Sequence, residues 1–374
     1  MKPERKRMAP RLEIRAEGVL HNIRTLGALA ERRGVSLSFV LKGLACYAPM
    51  IRLLCENGVT SVCEARAESL RALAEAGMAD CEKWLIRLPL LSEAADTVRY
   101  ADVSLNSERA ALEALSREAV AQGKTHKAVI LLELGELREG VMDEGLLPLC
   151  EAAERLPGLE LYGIGANLSC INEIVPDADN MAALAEAVAR VEAALGRKLP
   201  VVSGGSSSAV RMLEEGSLPP AVNHLRIGEA ALLGNIVCYD VPYADARTDN
   251  FILEAEVIEV KEKPPLPWGR QVDPATGRAD LHLLSSTEKR RRAIVAAGYQ
   301  DLDIREAVPL ERGLRFEGLS SDCCVFDVTD MERELRPGDV LRFSLKYHAM
   351  VQAMASQTVE KSLLLTSITD KGNS

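Results

Sequence analysis

The strongest constraint on the fold is a regular alternation of apolar runs and helical segments through the first two thirds of the chain. Eight short runs rich in leucine or β-branched residues predict strands: FVLK, SVCEA, KWLIRLP, DVSLN, KAVILLEL, LELYGIGAN, LPVVSGG and HLRIGEAALLG. Seven segments of helical period separate them, among them APMIRLLCENG and DNMAALAEAVARVEAALG. Because strands that alternate with helices pair in parallel, eight of them predict a closed (β/α)8 TIM barrel, an α/β fold. An open, doubly wound sheet is the alternative.

The pattern changes after about Asp240. FILEAEVIEV, RRAIVAAG, LRFEGLS, CCVFDVTD and VLRFSLKY predict strands with no long helical period between them, and KPPLPWG and LRPGDV are typical of turns. We therefore predict two domains: a barrel over residues 11–240 and a C-terminal all-β domain over residues 241–374.

The composition argues against several classes of function. The net charge is −10, and no segment supplies the basic face that nucleic-acid phosphates require. No apolar run reaches the roughly 18 residues of a membrane helix, so we expect no membrane partner. The nine cysteines contain no C-x-x-C pair, which favours a reducing cytoplasm and gives no indication of a metal site.

Polar residues fall at the ends of the predicted barrel strands, where enzymes with this fold carry their chemistry. Lys42 closes the first strand, and Arg138 follows the fifth in LELGELREGV. Asn167 ends the sixth strand, and Arg226 lies in the eighth. A single strand-end lysine is more often solvated than catalytic. Several polar residues at these positions together predict an active site at the barrel mouth.

A lysine at a barrel mouth can form a Schiff base with pyridoxal phosphate, which also needs a phosphate cradle and a partner for its ring nitrogen. The run GGSSS at residues 204–208 opens a predicted helix, so backbone N–H groups and the hydroxyls of Ser206 and Ser207 could converge on a phosphate. Taken alone, such a run is more often a turn with a helix cap. Gly228 in RIGEA offers a close approach to the same phosphate, and Arg226 precedes it on the strand.

These motifs resemble the alanine racemase-like enzymes of pyridoxal-phosphate fold type III. The resemblance runs almost the full length and is carried by LEIRAEGVLHNIRTL, LGELREGV, HLRIGEAALLG, AAGYQDLD and LSSDCCVFDVTDMERELRPGDVL. Within that family, REGV, GIGANLSC, SGGSSS and EVIEVKEKPPLP are most similar to the ornithine racemase type. The resemblance implies a pyridoxal-phosphate-dependent racemase of the ornithine/lysine or broad-specificity type, which acts on a small-molecule amino acid substrate and works as a homodimer with shared active sites.

The resemblance also implies the catalytic residues. Lys42 would be the Schiff-base lysine and one catalytic base, and Tyr299 in GYQD would be the other, supplied by a second subunit. Without the resemblance, Tyr299 would be taken for a partly buried core tyrosine. Cys323 is an alternative second base, although a buried, inert cysteine is the simpler interpretation. Cys46 stands where alanine racemases usually carry an aromatic residue.

Further roles follow from the same resemblance. Arg226 would face the pyridine nitrogen, and Arg138 would lie near the tyrosine and the substrate carboxylate. Ser207 would bind the phosphate, Asn167 would lie beside the ring, and Asp322 would stand by the active-site entrance. Tyr347 would correspond to a C-terminal tyrosine that reaches the phosphate.

The chemistry makes these roles coherent, since racemisation needs a base on each face of the substrate. Lys42 and Tyr299 would each act as acid when the other is base, and a nearby guanidinium such as Arg138 would favour the phenolate. Three alternatives remain: an alanine-specific racemase, a lyase or aldolase for D-hydroxy-amino acids with the same fold, and a non-catalytic pyridoxal-phosphate carrier.

Overall fold

The computed structural model describes residues 10–272, 278–282 and 287–365, which form two compact units. The larger is built from Arg15–Asn250, and the smaller combines Phe251–Ser362 with the N-terminal segment that ends at Ile14. These limits differ from the predicted ranges of 11–240 and 241–374. The N-terminal strand β1 (Arg11–Arg15) pairs antiparallel with residues 251–254 of the smaller unit. At the other boundary, the buried Asn250 amide donates to the Leu232 carbonyl of the barrel.

Eight parallel strands close a barrel in the larger unit. They are β2 (Ser36–Val40), β3 (Ser61–Glu64), β4 (Glu82–Leu85), β5 (Val103–Asn106), β6 (His126–Leu131), β7 (Leu159–Gly165), β8 (Val201–Ser203) and β9 (His224–Ile227). The last strand pairs with the first, with Ser36 opposite His224 and Phe39 opposite Ile227. The predicted TIM barrel is therefore confirmed, and the doubly wound sheet is excluded because an open sheet leaves two unpaired edges.

Helices connect and cover the barrel strands. They are α1 (Ala16–Arg32), α2 (Ala48–Glu56), α3 (Ala67–Leu73), α4 (Ala94–Tyr100), α5 (Arg109–Ala121), α6 (Asp143–Arg155), α7 (Ala178–Leu195), α8 (Val210–Glu215) and α9 (Glu229–Leu233). All seven predicted helical segments occur, as α2 to α8. In α7, Asp177 and Asn180 form a reciprocal capping box, and Gly196 ends the helix in a left-handed conformation with φ 71°.

Apolar side chains fill the interior of the barrel. They are Val40, Cys63, Trp84, Val103, Leu105, Val129, Leu131 and Val201. These positions alternate with outward-facing residues along each strand, which is why the strands are apolar almost throughout. Because the interior is packed rather than open, a ligand can reach the barrel only at its ends.

The smaller unit is an antiparallel sheet, preceded by a short hairpin of β10 (Asn235–Ile236) and β11 (Val241–Pro242) in the larger unit. Its remaining strands are β12 (Phe251–Lys263), β13 (Gly269–Val272), β14 (Ala279–His282), β15 (Arg290–Val295), β16 (Ala307–Pro309), β17 (Arg315–Leu319), β18 (Cys324–Asp327), β19 (Val340–Leu345) and β20 (Glu360–Leu364). The main sheet has the order β16-β19-β12-β15-β18-β17, with β1 on β12 and β20 on β1, and β13 and β14 form a separate hairpin.

The predicted C-terminal β domain is confirmed, and it also contains one helix that the sequence pattern did not predict, α10 (Tyr347–Ala355). The strand β12 organises the sheet because its first half pairs with β19 and its second half with β15. Among the described residues, no helix combines the length and the hydropathy that a membrane crossing needs.

Candidate active site

Lys42 lies two residues after the end of β2, at the carboxyl end of the barrel. The backbone N–H of Leu41 still donates to the Cys63 carbonyl, at 2.9 Å, so β2 is held against β3 up to the residue before Lys42. The chain then turns sharply through Ala45 and Cys46, whose φ angles of 47° and 56° are left-handed. The Lys42 side chain is exposed at the barrel mouth.

Glu64 ends β3, the strand that pairs with β2, and its charge interacts with that of Lys42; the sequence analysis missed it. Glu64 is only 2% exposed, and its Oε2 accepts a hydrogen bond from the Ala65 N–H at 3.3 Å. Its buried Oε1 has no hydrogen-bond partner among the described residues. Burial raises the pKa of Glu64 to about 7, although the Ala65 N–H and the positive charge of Lys42 both oppose the rise. The sequence did indicate this residue, because Glu64 is a charged residue at the end of the otherwise uncharged strand SVCE.

Arg226 is buried in the barrel interior, with 3% of its surface exposed. Its guanidinium donates to the Ser203 hydroxyl and, at 2.8 Å, to the Ala166 carbonyl. Within the described ranges, no carboxylate forms an ion pair with it. Since a guanidinium has five N–H donors, Arg226 has donors left for a ligand. Burial is the main cause that lowers the pKa of Arg226.

A buried histidine, His224, contacts the same Ser203 hydroxyl to which Arg226 donates. The hydroxyl of Ser203 lies 2.9 Å from Nδ1 of His224, whose Nε2 lies 2.8 Å from the hydroxyl of Ser38. Trp84 stacks on the imidazole with ring centres 4.5 Å apart. Burial, aided by the charge of Arg226, lowers the pKa of His224 to about 3, so the ring stays neutral at physiological pH. Sequence analysis missed this chain of contacts, because the five residues come from four strands and their side chains meet only inside the closed barrel.

The predicted phosphate cradle is a compact cluster of the Gly/Ser segment and the start of α9. The Ser207 hydroxyl accepts hydrogen bonds from the N–H groups of Gly228 and Ala230, both at 3.1 Å. The hydroxyl of Ser206 lies 3.3 Å from that of Ser208. A Cβ at Gly228 would come within 3.1 Å of the Val40 side chain, so the backbone there lies close to β2. The structure thus brings Ser206, Ser207 and Gly228 together beside the strand that leads into Lys42.

Two loops at the mouth carry Asn167 and Arg138. The Asn167 amide nitrogen is buried, and no residue in the described part of the chain forms a hydrogen bond with it. The Arg138 guanidinium pairs with both carboxylate oxygens of Glu139 and also contacts the Cys170 thiol. Burial acts to lower the pKa of Arg138, but the hydrogen bonds and charges of Glu139 and Cys170 together outweigh it, so the pKa is raised.

A third acidic residue, Glu136, joins these two loops. Its carboxylate is fully buried and accepts hydrogen bonds from five backbone N–H groups in the loop that follows Asn167. Burial alone would raise the pKa of Glu136, but these donors outweigh it and lower the pKa. The Asn172 side chain returns a hydrogen bond to the Glu136 carbonyl at 2.7 Å. Glu136 therefore fixes the Arg138 loop against the Asn167 loop.

Replacing Glu136 tests this joint. Glu136→Ala would leave several buried N–H groups without an acceptor, and we expect a loss of about 2–4 kcal/mol in stability, seen as a lower thermal midpoint. Because the folded pKa of this carboxylate is lowered, the stabilisation is present above its unfolded pKa and lost as the pH falls through the folded pKa. The exposed Glu144→Ala is the matched control. Equal midpoints for the two variants would contradict the assignment.

The remaining predicted residues form a second group in the smaller unit. The Tyr299 N–H donates to the Ser320 carbonyl at 2.9 Å, which places Tyr299 beside the turn that carries Asp322 and Cys323. Gly298 permits this approach, because a Cβ there would lie 2.3 Å from the Ser321 carbonyl oxygen. Asp322 accepts a hydrogen bond from the Gln300 amide at 2.7 Å.

Tyr299 is not a core residue in this unit, since it is 56% exposed. The interpretation as a partly buried core tyrosine is therefore wrong. The guanidinium of Arg305, which sequence analysis missed, lies 5.9 Å from the centre of the Tyr299 ring and pairs with Asp303. Tyr347 begins α10 and is half-buried, in edge contact with His348.

The chain therefore has the architecture of a TIM barrel followed by an antiparallel β domain, with a lysine just after the first barrel strand. Solved structures share this fold. Alanine racemase from Bartonella henselae with covalently bound pyridoxal phosphate gives a TM-score of 0.73 at 16% identity, covering 96% of this chain and 100% of that one. D-threonine aldolase from Filomicrobium marinum gives 0.71 at 17% identity, covering 93% and 88%.

The particular family follows from the sequence comparison. The model of the alanine racemase N-terminal domain matches residues 14–235, and the chain belongs to this family. The ornithine racemase of Acetoanaerobium sticklandii is 33% identical over 358 residues, which cover 96% of this chain and all of that protein. The lysine racemase of Thermotoga maritima is 33% identical over 355 residues, covering 94% and 98%. The predicted family is confirmed.

Proposed function

We propose that this protein is an isomerase: a pyridoxal-phosphate-dependent amino acid racemase of the ornithine, lysine or broad-specificity type. The observation that carries the proposal is the buried Arg226 on β9, inside a barrel whose first strand leads into Lys42. A guanidinium with unused donors and no ion pair to a described carboxylate suits a neutral acceptor such as a pyridine nitrogen. The two racemases that match nearly the whole chain support the same activity.

The residues of the barrel mouth fit the cofactor. Lys42 would hold it covalently, and Arg226 would donate to its ring nitrogen. The hydroxyls of Ser206 and Ser207, with the backbone at Gly228, would hold the phosphate. Asn167 has a buried amide nitrogen with no hydrogen-bond partner in the described ranges, and it could donate to the phenolic oxygen attached to the cofactor ring. When bound, the cofactor delocalises the charge left on the substrate Cα after its proton is removed.

In the proposed reaction, two side chains of the protein act as the catalytic bases. Lys42 would take or give the Cα proton on one face and Tyr299 on the other, with Arg138 holding the substrate carboxylate. Tyr347 would reach the phosphate, and Asp322 would lie near the entrance. Cys323 remains the alternative second base.

We also infer that the enzyme acts as a cytoplasmic homodimer with shared sites. The exposed Tyr299 supports a tyrosine that serves another subunit. All nine cysteines are free thiols, which supports a reducing compartment.

A screen of L-amino acids in the presence of pyridoxal phosphate tests the activity. With the wild type we expect the optical rotation of L-ornithine or L-lysine to be lost. With the Lys42→Ala variant we expect the rotation to stay constant. Turnover of alanine alone would indicate an alanine racemase, and cofactor binding without any turnover would indicate a carrier. Metal-dependent cleavage of D-threonine would indicate an aldolase; within the described ranges, no cluster of three or more His, Cys, Asp or Glu side chains could hold a metal ion.

A further inference from the structure

The feature of the barrel mouth that the proposed reaction leaves unexplained is the ion pair between Arg138 and Glu139. The side chain of Arg138 is 32% exposed, whereas that of Glu139 is only 11% exposed. Both Glu139 oxygens accept hydrogen bonds from the guanidinium. Racemisation of a neutral amino acid needs a cation for the substrate carboxylate, but it gives no reason to bury a carboxylate against that cation.

The loop that carries this pair is closely anchored. Its ends are joined by backbone hydrogen bonds between residues 131–133 and Val141. Gly140, with φ 138°, lies so close to Glu133 that a Cβ would come within 2.7 Å of the Glu133 nitrogen. Glu136 ties the middle of the loop to the Asn167 loop. The backbone that carries the Glu139 carboxylate is therefore held in place, as substrate discrimination by that carboxylate requires.

The pair also lies in the same electrostatic neighbourhood as Arg226. Burial is the main influence that lowers the pKa of Arg226, while Glu139 acts to raise it and Arg138 to lower it. The contacts agree: the Ala166 carbonyl that accepts a hydrogen bond from Arg226 directly precedes the Asn167 loop, and Glu136 ties that loop to the one that carries Glu139.

We propose that Glu139 binds the distal ammonium of a diamino acid substrate, and thereby selects amino acids with a cationic side chain. This inference rests on the proposed racemase function. In the free protein Arg138 and Glu139 neutralise each other. On binding, the substrate carboxylate takes Arg138 and the distal ammonium takes Glu139, so one ion pair is replaced by two and no charge is left over.

A neutral amino acid cannot complete this exchange. Its carboxylate would compete for Arg138, and Glu139 would remain largely buried with its partner shared or lost. A buried charge that loses its partner is strongly destabilising. The mouth should therefore discriminate against substrates that lack a distal cation, even when their shape and length are the same.

The test compares L-ornithine with L-norleucine, in which a methyl group replaces the distal ammonium. In the wild type, kcat/KM should be higher for ornithine. Glu139→Gln should reduce the ornithine-to-norleucine ratio by about 10- to 100-fold, the range of a hydrogen bond to a charged group. Glu144→Gln removes one negative charge from an exposed position nearby and should leave the ratio unchanged.

A second variant keeps the test decisive if Glu139→Gln folds poorly. Glu139→Asp retains the charge but shortens the side chain by one methylene, so it should shift preference from ornithine towards the longer lysine. An equal loss of activity toward ornithine and norleucine in Glu139→Gln, or an unchanged lysine-to-ornithine ratio in Glu139→Asp, would overturn the assignment. A wild type that racemises no amino acid would instead overturn the racemase function on which the assignment rests.

Discussion

The Lys42→Ala variant should stay colourless with added pyridoxal phosphate and should lose racemase activity by at least about a thousandfold. The wild type, given the same cofactor, should be yellow. Lys42 is the amine just after β2, in the same candidate site as the Gly/Ser cluster and the buried Arg226, so its loss removes both the covalent attachment and one base. Visible absorbance and the rate of L-ornithine racemisation measure the two effects.

Covalent attachment can be located directly. Borohydride reduction of the yellow protein should fix the cofactor on the peptide that contains Lys42, as read by mass spectrometry. Lys198→Ala is the matched control, since that side chain is 87% exposed in the connection between α7 and β8. A wild type that no added cofactor colours, or a Lys42→Ala variant with ordinary turnover, would contradict the proposed cofactor site.

The architecture of the barrel could be predicted because each strand and helix is specified locally. A buried parallel strand reads as a short apolar run, and the helix that follows shows its own period. β1 could not be placed in this way. Its partners are residues 251–254, far along the chain, and neither segment alone indicates that pairing.

The site divides along the same line. Lys42, Arg226 and the Gly/Ser run could be proposed as site residues from the sequence, because polar residues at or near strand ends of a barrel indicate an active site. Glu136 could not, since its role depends on N–H groups more than thirty residues away that only the folded loops bring together. The charge interaction of Lys42 with Glu64 likewise requires the pairing of β2 with β3. The local sequence specifies strands and helices, whereas the contact partners of a side chain depend on the tertiary fold.

The largest effect expected from the smaller unit is loss of racemisation in Tyr299→Phe. The racemisation rate of this variant should be at least about a hundredfold below that of the wild type, since the phenol oxygen is the proposed second base. In deuterated water, Lys42 should still exchange the Cα proton of one enantiomer. Near-normal racemisation would place the second base elsewhere, and Cys323 would be the next residue to mutate.

Mixing two inactive variants tests whether Tyr299 serves a neighbouring subunit. If it does, a heterodimer of Lys42→Ala and Tyr299→Phe holds one site with both defects and one with neither. Random exchange of a two-fold dimer makes about half of the molecules heterodimers with one intact site each, so activity should recover to about a quarter of wild type. Dilution that separates the subunits should abolish it. Failure to recover despite demonstrated exchange would mean that Tyr299 acts on its own barrel or has no part in catalysis, because only a tyrosine that crosses between subunits can restore a site from two defective chains.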